Sequence, residues 1–165
     1  MNRFFIEHSS NKINFETPEK GLVNININTR GPKLGGGAFI YASSIDHTSN
    51  YRKIWYENEF ALGERCVVSY GRLETIPNDT ATKHSEDSTN GFIVKVNQKS
   101  FKIGLPYGAA FGVHITNKEG EYTLSINGMD ADGKFYKWFS KRVTEGDLYI
   151  IDYTNIDSPD TPHGI

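Results

Sequence analysis

Two stretches of the chain alternate apolar and polar residues: "LVNININ" at residues 22–28 and "AFGVHIT" at 110–116. Successive side chains of a strand point to opposite faces, so this period of two predicts half-buried β-strands. Similar runs flank both. Upstream, "FFIEHSSNKINF" and "FIVKVNQKSFKI" each read as a hairpin, with "SSNK" or "NQKS" as a polar turn between apolar runs. Downstream come a further strand, "AFIYAS" or "YTLSIN", and a turn carrying Asp46 or Asp130. A strand holding Trp55 or Trp138 follows, and Gly63-Glu64 or Gly146-Asp147 then turns the chain into "CVVSY" or "YIIDY". No segment carries the 3.6-residue period of an amphipathic helix of three turns. The predicted class is all-β.

The two series are in phase. At an offset of 88, Phe4 falls on Phe92, Ile6 on Val94, Phe15 on Ile103, Pro18 on Pro106, Ile25 on Val113 and Ile27 on Ile115. At an offset of 83, Trp55 falls on Trp138, Tyr56 on Phe139, Gly63 on Gly146, Val68 on Ile151 and Tyr70 on Tyr153. Two blocks matching in the same order predict an internal duplication. The first copy then spans residues 1–77 and the second 92–159. The polar, aperiodic "NDTATKHSEDSTNG" at 78–91 is a linker or exposed loop, and 160–165 is a tail. A copy this small has a small core. The two are therefore expected to pack together, as a sandwich or a pair of small barrels about a pseudo-twofold axis.

Each half resembles a group of short, uncharacterised bacterial β-rich proteins that share a "GVLS"-like strand, an L-x-V-G-G-x-D stretch, a tryptophan and a closing L-x-x-G-D-x-I-x-I. The corresponding residues are Gly108 to Phe111, Leu124 to Asp130, Trp138 and Gly146 to Ile150. The first half departs from the pattern, with Ser43-Ser44-Ile45-Asp46 in place of the glycine pair. The resemblance carries no established activity and implies a small accessory or partner-binding protein.

Composition agrees with strands and tight turns: aromatic residues make up 13% of the 165 positions, and there are 16 glycines. A formal net charge of −2 gives no electrostatic reason to expect nucleic acid or an anionic membrane as partner. The single cysteine, Cys66, excludes an internal disulfide and a multi-cysteine zinc site. The first residues lack the apolar core of a secretory signal, and no run approaches the roughly 20 apolar residues of a membrane-spanning helix. A cytoplasmic location is the expectation, with leaderless export left open.

Candidate chemistry is sparse. "DADGKFYKWF" places Asp130, Asp132 and Gly133 like part of a calcium loop, but the twelfth position is Phe139 where a bidentate glutamate is needed. A hairpin turn at Asp-Gly is the better reading. The five histidines show no close spacing, and Cys66 sits in an apolar strand, as a packing residue does. The glycine-rich "GPKLGGGAF" at 31–39 lacks the order of a phosphate-binding loop and reads as a hairpin tip or bulge. It nevertheless lies where the two halves differ most, which makes Lys33 a candidate contact. Glu57, Glu59, Glu64 and Glu74 gather around the first tryptophan strand, where a carboxylate pair for hydrolysis is conceivable. Tyr51 and Tyr56, and Tyr136 in the second copy, make each tryptophan strand aromatic-rich, and such residues mark binding surfaces when exposed.

These features predict a non-catalytic binding protein without a cofactor. Its first expected role is protein–protein interaction, of an accessory, immunity-like or adaptor kind, with Lys33, Tyr51, Tyr56 and Tyr136 as candidate contacts. The alternative is a small-ligand or carbohydrate-binding module with aromatics between the halves, and the third reading is a carboxylate-pair hydrolase.

Overall fold

The computed structural model of this chain describes residues 2–29, 38–61, 63–72, 91–104, 110–118, 120–130, 132–144 and 146–154. Lys33 with most of the glycine-rich stretch, Glu74, the polar stretch at 78–90 and the tail lie outside the described residues. The described residues form twelve strands: β1 (Asn2–His8), β2 (Asn11–Glu16), β3 (Gly21–Thr29), β4 (Ala38–Asp46), β5 (Tyr51–Glu59), β6 (Arg65–Arg72), β7 (Gly91–Val96), β8 (Lys99–Gly104), β9 (Ala110–Lys118), β10 (Glu121–Met129), β11 (Phe135–Arg142) and β12 (Tyr149–Thr154). Among them there is no helix, and so none long and apolar enough to cross a membrane. The protein is all-β.

Two antiparallel sheets of six strands account for all twelve. Sheet A has the order β2-β1-β6-β12-β7-β8 and sheet B the order β11-β10-β9-β3-β4-β5. Each order is preserved, read from the other end, when β1–β6 are exchanged with β7–β12. The registers at the two central junctions agree with this exchange. In sheet B, Ile25 of β3 lies opposite Val113 of β9. In sheet A, Val68 of β6 lies opposite Ile151 of β12. A bulge interrupts β4–β5 between Ala42 and Ser43, and another interrupts β10–β11 between Ile126 and Asn127. Each sets its tryptophan out of strict alternation.

One core cluster draws on both sheets. Phe4, Ile6, Phe15, Val68 and Ile151 come from sheet A, and Val23, Ile25, Ile40, Val113 and Ile126 from sheet B. Trp55 and Trp138 are half-buried and pack against it. Aromatic contacts tie the sheets at both ends: Phe15 of β2 stacks on Trp55 of β5 with centroids 4.9 Å apart, and Phe101 of β8 meets Phe139 of β11 at 5.5 Å. The central strands of sheet A are buried on both faces, because Val67, Ser69 and Asp152 are covered as well as Cys66, Val68 and Tyr153. Cys66 is fully enclosed, and burial, reinforced by the negative charge of Asp152, pushes its thiol far above the usual range. A thiol held protonated in this way packs as a small apolar group.

Candidate functional site

The outer face of sheet B, turned away from the core, carries the polar half of the alternation. Asn24 and Asn26 of β3 lie opposite His114 and Gly112 of β9, and Asn127 of β10 lies on the far side of Gly112. Gly112 is what opens this face. A Cβ there would stand 2.7 Å from Asn26 Oδ1 and from the His114 ring, closer than side chains approach one another. The result is a pocket of about 240 Å3 lined by Asn26, Gly112, His114 and Asn127 at its polar floor, with Met129 and Phe135 as apolar walls. Phe135 is 54% exposed and Met129 47%, so both stand at the rim.

His114 is the centre of the floor. Its Nδ1 is 2.5 Å from Asn24 Oδ1 and its Nε2 is 3.1 Å from Asn127 Oδ1. Both nitrogens face acceptors, an arrangement that only the doubly protonated ring satisfies by itself. Burial nevertheless pushes the imidazole below the usual histidine range, against a smaller opposing effect of Asn127. A neutral ring keeps both contacts when one of the two amides turns its NH2 toward the unprotonated nitrogen. When that amide is Asn127, which also lines the pocket, its oxygen is turned away from the ring.

Because the folded chain binds this proton less readily than the unfolded chain, His114 favours the folded state at neutral pH. That contribution is complete above the unfolded value of about 6.5 and declines as pH falls from there toward the lower folded-state value. His114→Gln is expected to flatten the pH dependence of stability between about pH 7 and 5, where an ordinary histidine titrates. Urea unfolding of both proteins across that range checks this, and parallel curves would contradict it.

A second polar cluster lies at one end of the first half. His8 is buried, its Nδ1 is 2.8 Å from the Tyr56 hydroxyl and its Nε2 is 3.2 Å from Glu64 Oε1. Carboxylate, imidazole and hydroxyl follow one another as in a proton relay. Both ends of this series are also held by further partners. Tyr56 donates to His8 and accepts from the Asn11 and Asn58 amides, each at 3.1 Å. Glu64 also accepts from Ser9 Oγ and, at 2.6 Å, from the Ala61 N–H. Desolvation raises Glu64, but the bonds from Ser9, Ala61 and His8 outweigh it and hold the carboxyl below its usual range.

The second half repeats the lock without the histidine. Asp147 accepts from the Thr144 N–H at 3.2 Å and from Asn97 Nδ2 at 3.3 Å, and also binds Lys141 and Tyr149. Ser9 and Asn97, both in the left-handed region at φ 53° and 56°, supply the turns that reach these acids. A network of this kind fixes turns.

The three tyrosine candidates among the described residues do not meet at one place. Tyr51 is 64% exposed at the start of β5, while Tyr56 is held in the His8 network. Tyr136 lies on β11, at the opposite edge of sheet B, five strand spacings or roughly 24 Å away. There it stacks on Trp138 at 5.5 Å and donates to Asp130 at 3.1 Å. Lys33 lies outside the described residues. Glu57 and Glu59, paired with Tyr41 and Phe39 on the outer face of β5, point away from the His8 network that holds Glu64. The sequence reading counted Phe135 among the aromatics of its strand but passed over His114, Asn26, Asn127 and Met129 as site residues. Its available signal was a histidine two positions after a glycine on the polar side of an alternating strand.

The chain matches no protein-family model, no curated protein and no solved structure.

Proposed function

We propose that this chain is a non-catalytic binding protein and that the pocket around His114 is its ligand site. The observation that carries the reading is the pairing of a floor of two amides and an imidazole with the exposed ring of Phe135. Such a site suits a hydroxyl-rich ligand with one apolar face, which describes a sugar ring. Amides and imidazole exchange hydrogen bonds with hydroxyls, and an aromatic face covers the C–H side. At about 240 Å3 the space is smaller than the ~300–1,000 Å3 of drug-sized sites and takes one small ring. No acidic residue is among the described residues that line it, which favours binding over carboxylate-pair hydrolysis. The protein-partner reading draws support from the exposed Phe39, Tyr51 and Ile54 on β4 and β5.

The fold itself we read as a β-sandwich made by duplication of a six-strand unit. Support comes from the exchangeable strand orders, the equivalent bulges and the junction pairs Ile25–Val113 and Val68–Ile151, which are the pairs that the offsets 88 and 83 align. In this reading Gly112 stands where the first unit has Asn24, and loss of that side chain made the pocket.

The test is an NMR titration with glucose, galactose, mannose and N-acetylglucosamine. At least one is expected to shift the amide signals of Asn26, Gly112, His114 and Asn127. Phe135→Ala should weaken that sugar about tenfold, the effect of losing an aromatic contact of about 1–1.5 kcal/mol, without changing stability. Gly112→Ala should abolish binding by filling the floor. No shifts with any of the four sugars, or shifts that persist unchanged in Gly112→Ala, would remove the carbohydrate assignment.

A further inference from the structure

Among the described residues the sheets have four edge strands, β2 and β8 in sheet A and β5 and β11 in sheet B. An edge offers a row of backbone N–H and C=O groups to any strand that can approach, and charged side chains of one sign are the usual guard against a second copy. β8 carries Lys99 and Lys102 with no acid, and β11 carries Lys137, Lys141 and Arg142 with no acid of its own, Lys141 being bound by Asp147 at 3.3 Å and Arg142 by Glu121 at 3.0 Å. Either strand laid antiparallel on itself sets cation against cation. β2 carries Lys12 and Glu16, but Glu16 is bound by Arg3 of its own sheet at 2.8 Å.

β5 is different. Its sequence, "YRKIWYENE", is basic at the start, with Arg52 and Lys53, and acidic at the end, with Glu57 and Glu59. Antiparallel self-pairing therefore brings opposite charges together. Register makes the match specific. The cross-strand pairs Ile45–Arg52, Ser43–Ile54, Tyr41–Glu57 and Phe39–Glu59 put Arg52, Ile54, Glu57 and Glu59 on the outer face of sheet B. The bulge at Trp55 moves the alternation by one residue between the first two and the last two. A twofold axis passing between Trp55 and Tyr56 then sets outer face against outer face: Arg52 opposite Glu59 of the second copy, Ile54 opposite Glu57, and the same again by symmetry. Ile54 is 53% exposed and Tyr51 64%, which is apolar surface on the strand that such pairing covers.

We propose that β5 is a docking edge for a second copy of this chain, and that two copies join antiparallel through it, continuing sheet B from one molecule into the next. This surface is separate from the His114 pocket, and neither assignment depends on the other. The charge arrangement orients the pair, and the backbone hydrogen bonds of the new ladder hold it.

Sedimentation equilibrium of the full chain tests this. At about 100 µM, where a complex with a Kd of ~10 µM is mostly formed, the expected mass is twice the 18.6 kDa of one chain. Arg52→Glu and Glu59→Arg, both at exposed positions, should each weaken the dimer about tenfold, since each replaces two attractions by two repulsions. The double reversal should return the affinity to within about threefold of the starting value, an outcome that general surface damage does not produce. Lys137→Glu on β11 should leave the mass doubled. The proposal fails if the mass stays at one chain at every concentration, if the double reversal is as weak as the singles, or if the β11 variant alone abolishes the dimer.

Discussion

Asp152→Ala is expected to lower the stability of the fold by about 3–5 kcal/mol, the loss seen when one partner of a buried ion pair is removed. Arg65 of β6 holds the Asp152 carboxylate of β12 with Nε at 2.7 Å from Oδ1 and Nη2 at 2.5 Å from Oδ2. Their side chains are only 13% and 8% exposed, and the residues are 87 positions apart in sequence. Arg65 Nη1 is buried with no hydrogen-bond partner, so the guanidinium has no second acceptor among the described residues to fall back on. Removing the carboxylate leaves a cation enclosed at the central junction of sheet A, where water cannot replace what was lost. Replacing both residues, Arg65→Met with Asp152→Leu, should recover most of the stability, because the desolvation cost disappears with the charges. Urea denaturation of the two proteins decides the matter. A loss below about 1 kcal/mol for Asp152→Ala would mean a solvent-screened surface pair.

Gly128→Ala should cost about 3 kcal/mol, the upper end of the usual range for overpacking. The new methyl would stand 2.1 Å from the carbonyl oxygen of Ala110, 2.9 Å from Phe111 Cα and 2.8 Å from Trp138 Cζ3. Two of these three are backbone atoms, so no rotamer change relieves the contact, and β9 and β10 must separate locally. The comparison with the first half is instructive. Next to its bulge stands Ser44, whose Oγ accepts a hydrogen bond from Trp55 Nε1 at 2.8 Å. Gly128 instead lets Trp138 lie over the backbone. A shift in tryptophan fluorescence toward longer wavelength should accompany the loss of stability, since Trp138 is displaced toward water. Thermal unfolding followed by fluorescence reports both, and an unchanged midpoint would show that the strands separate at little cost.

Gly112 and Gly128 illustrate how little of a site a one-dimensional pattern discloses. Both interrupt alternating strands, where glycine signals a bulge or the close approach of another group. What approaches cannot be read from the strand itself. For Gly112 it is the side chains of Asn26 and His114, and for Gly128 the backbone of Ala110 and the Trp138 ring. The histidine spacing pointed away from a cluster, because His114 is surrounded by amides rather than by other ligating groups. Its partners Asn24 and Asn127 are 90 and 13 positions away. Likewise the aromatic wealth of the tryptophan strands was legible, yet the bulges turn Trp55 and Trp138 toward the core and leave Phe135 at the rim.

By itself the sequence determined the all-β class and the outline of the strands, because period two is imposed by the backbone of each strand and needs no neighbour to be recognised. It also determined which half of "LVNININ" and "AFGVHIT" turns inward, and it marked Cys66 as a packing residue of an apolar strand. Only the tertiary structure decided which strands become neighbours. It placed β3 beside β9 and β6 beside β12, and so brought Asn24, His114 and Asn127 to one floor and Arg65 to Asp152. The physical reason is that alternation assigns a residue to a face, whereas its contacts on that face depend on strand order and register. Those are set by packing the whole core at once.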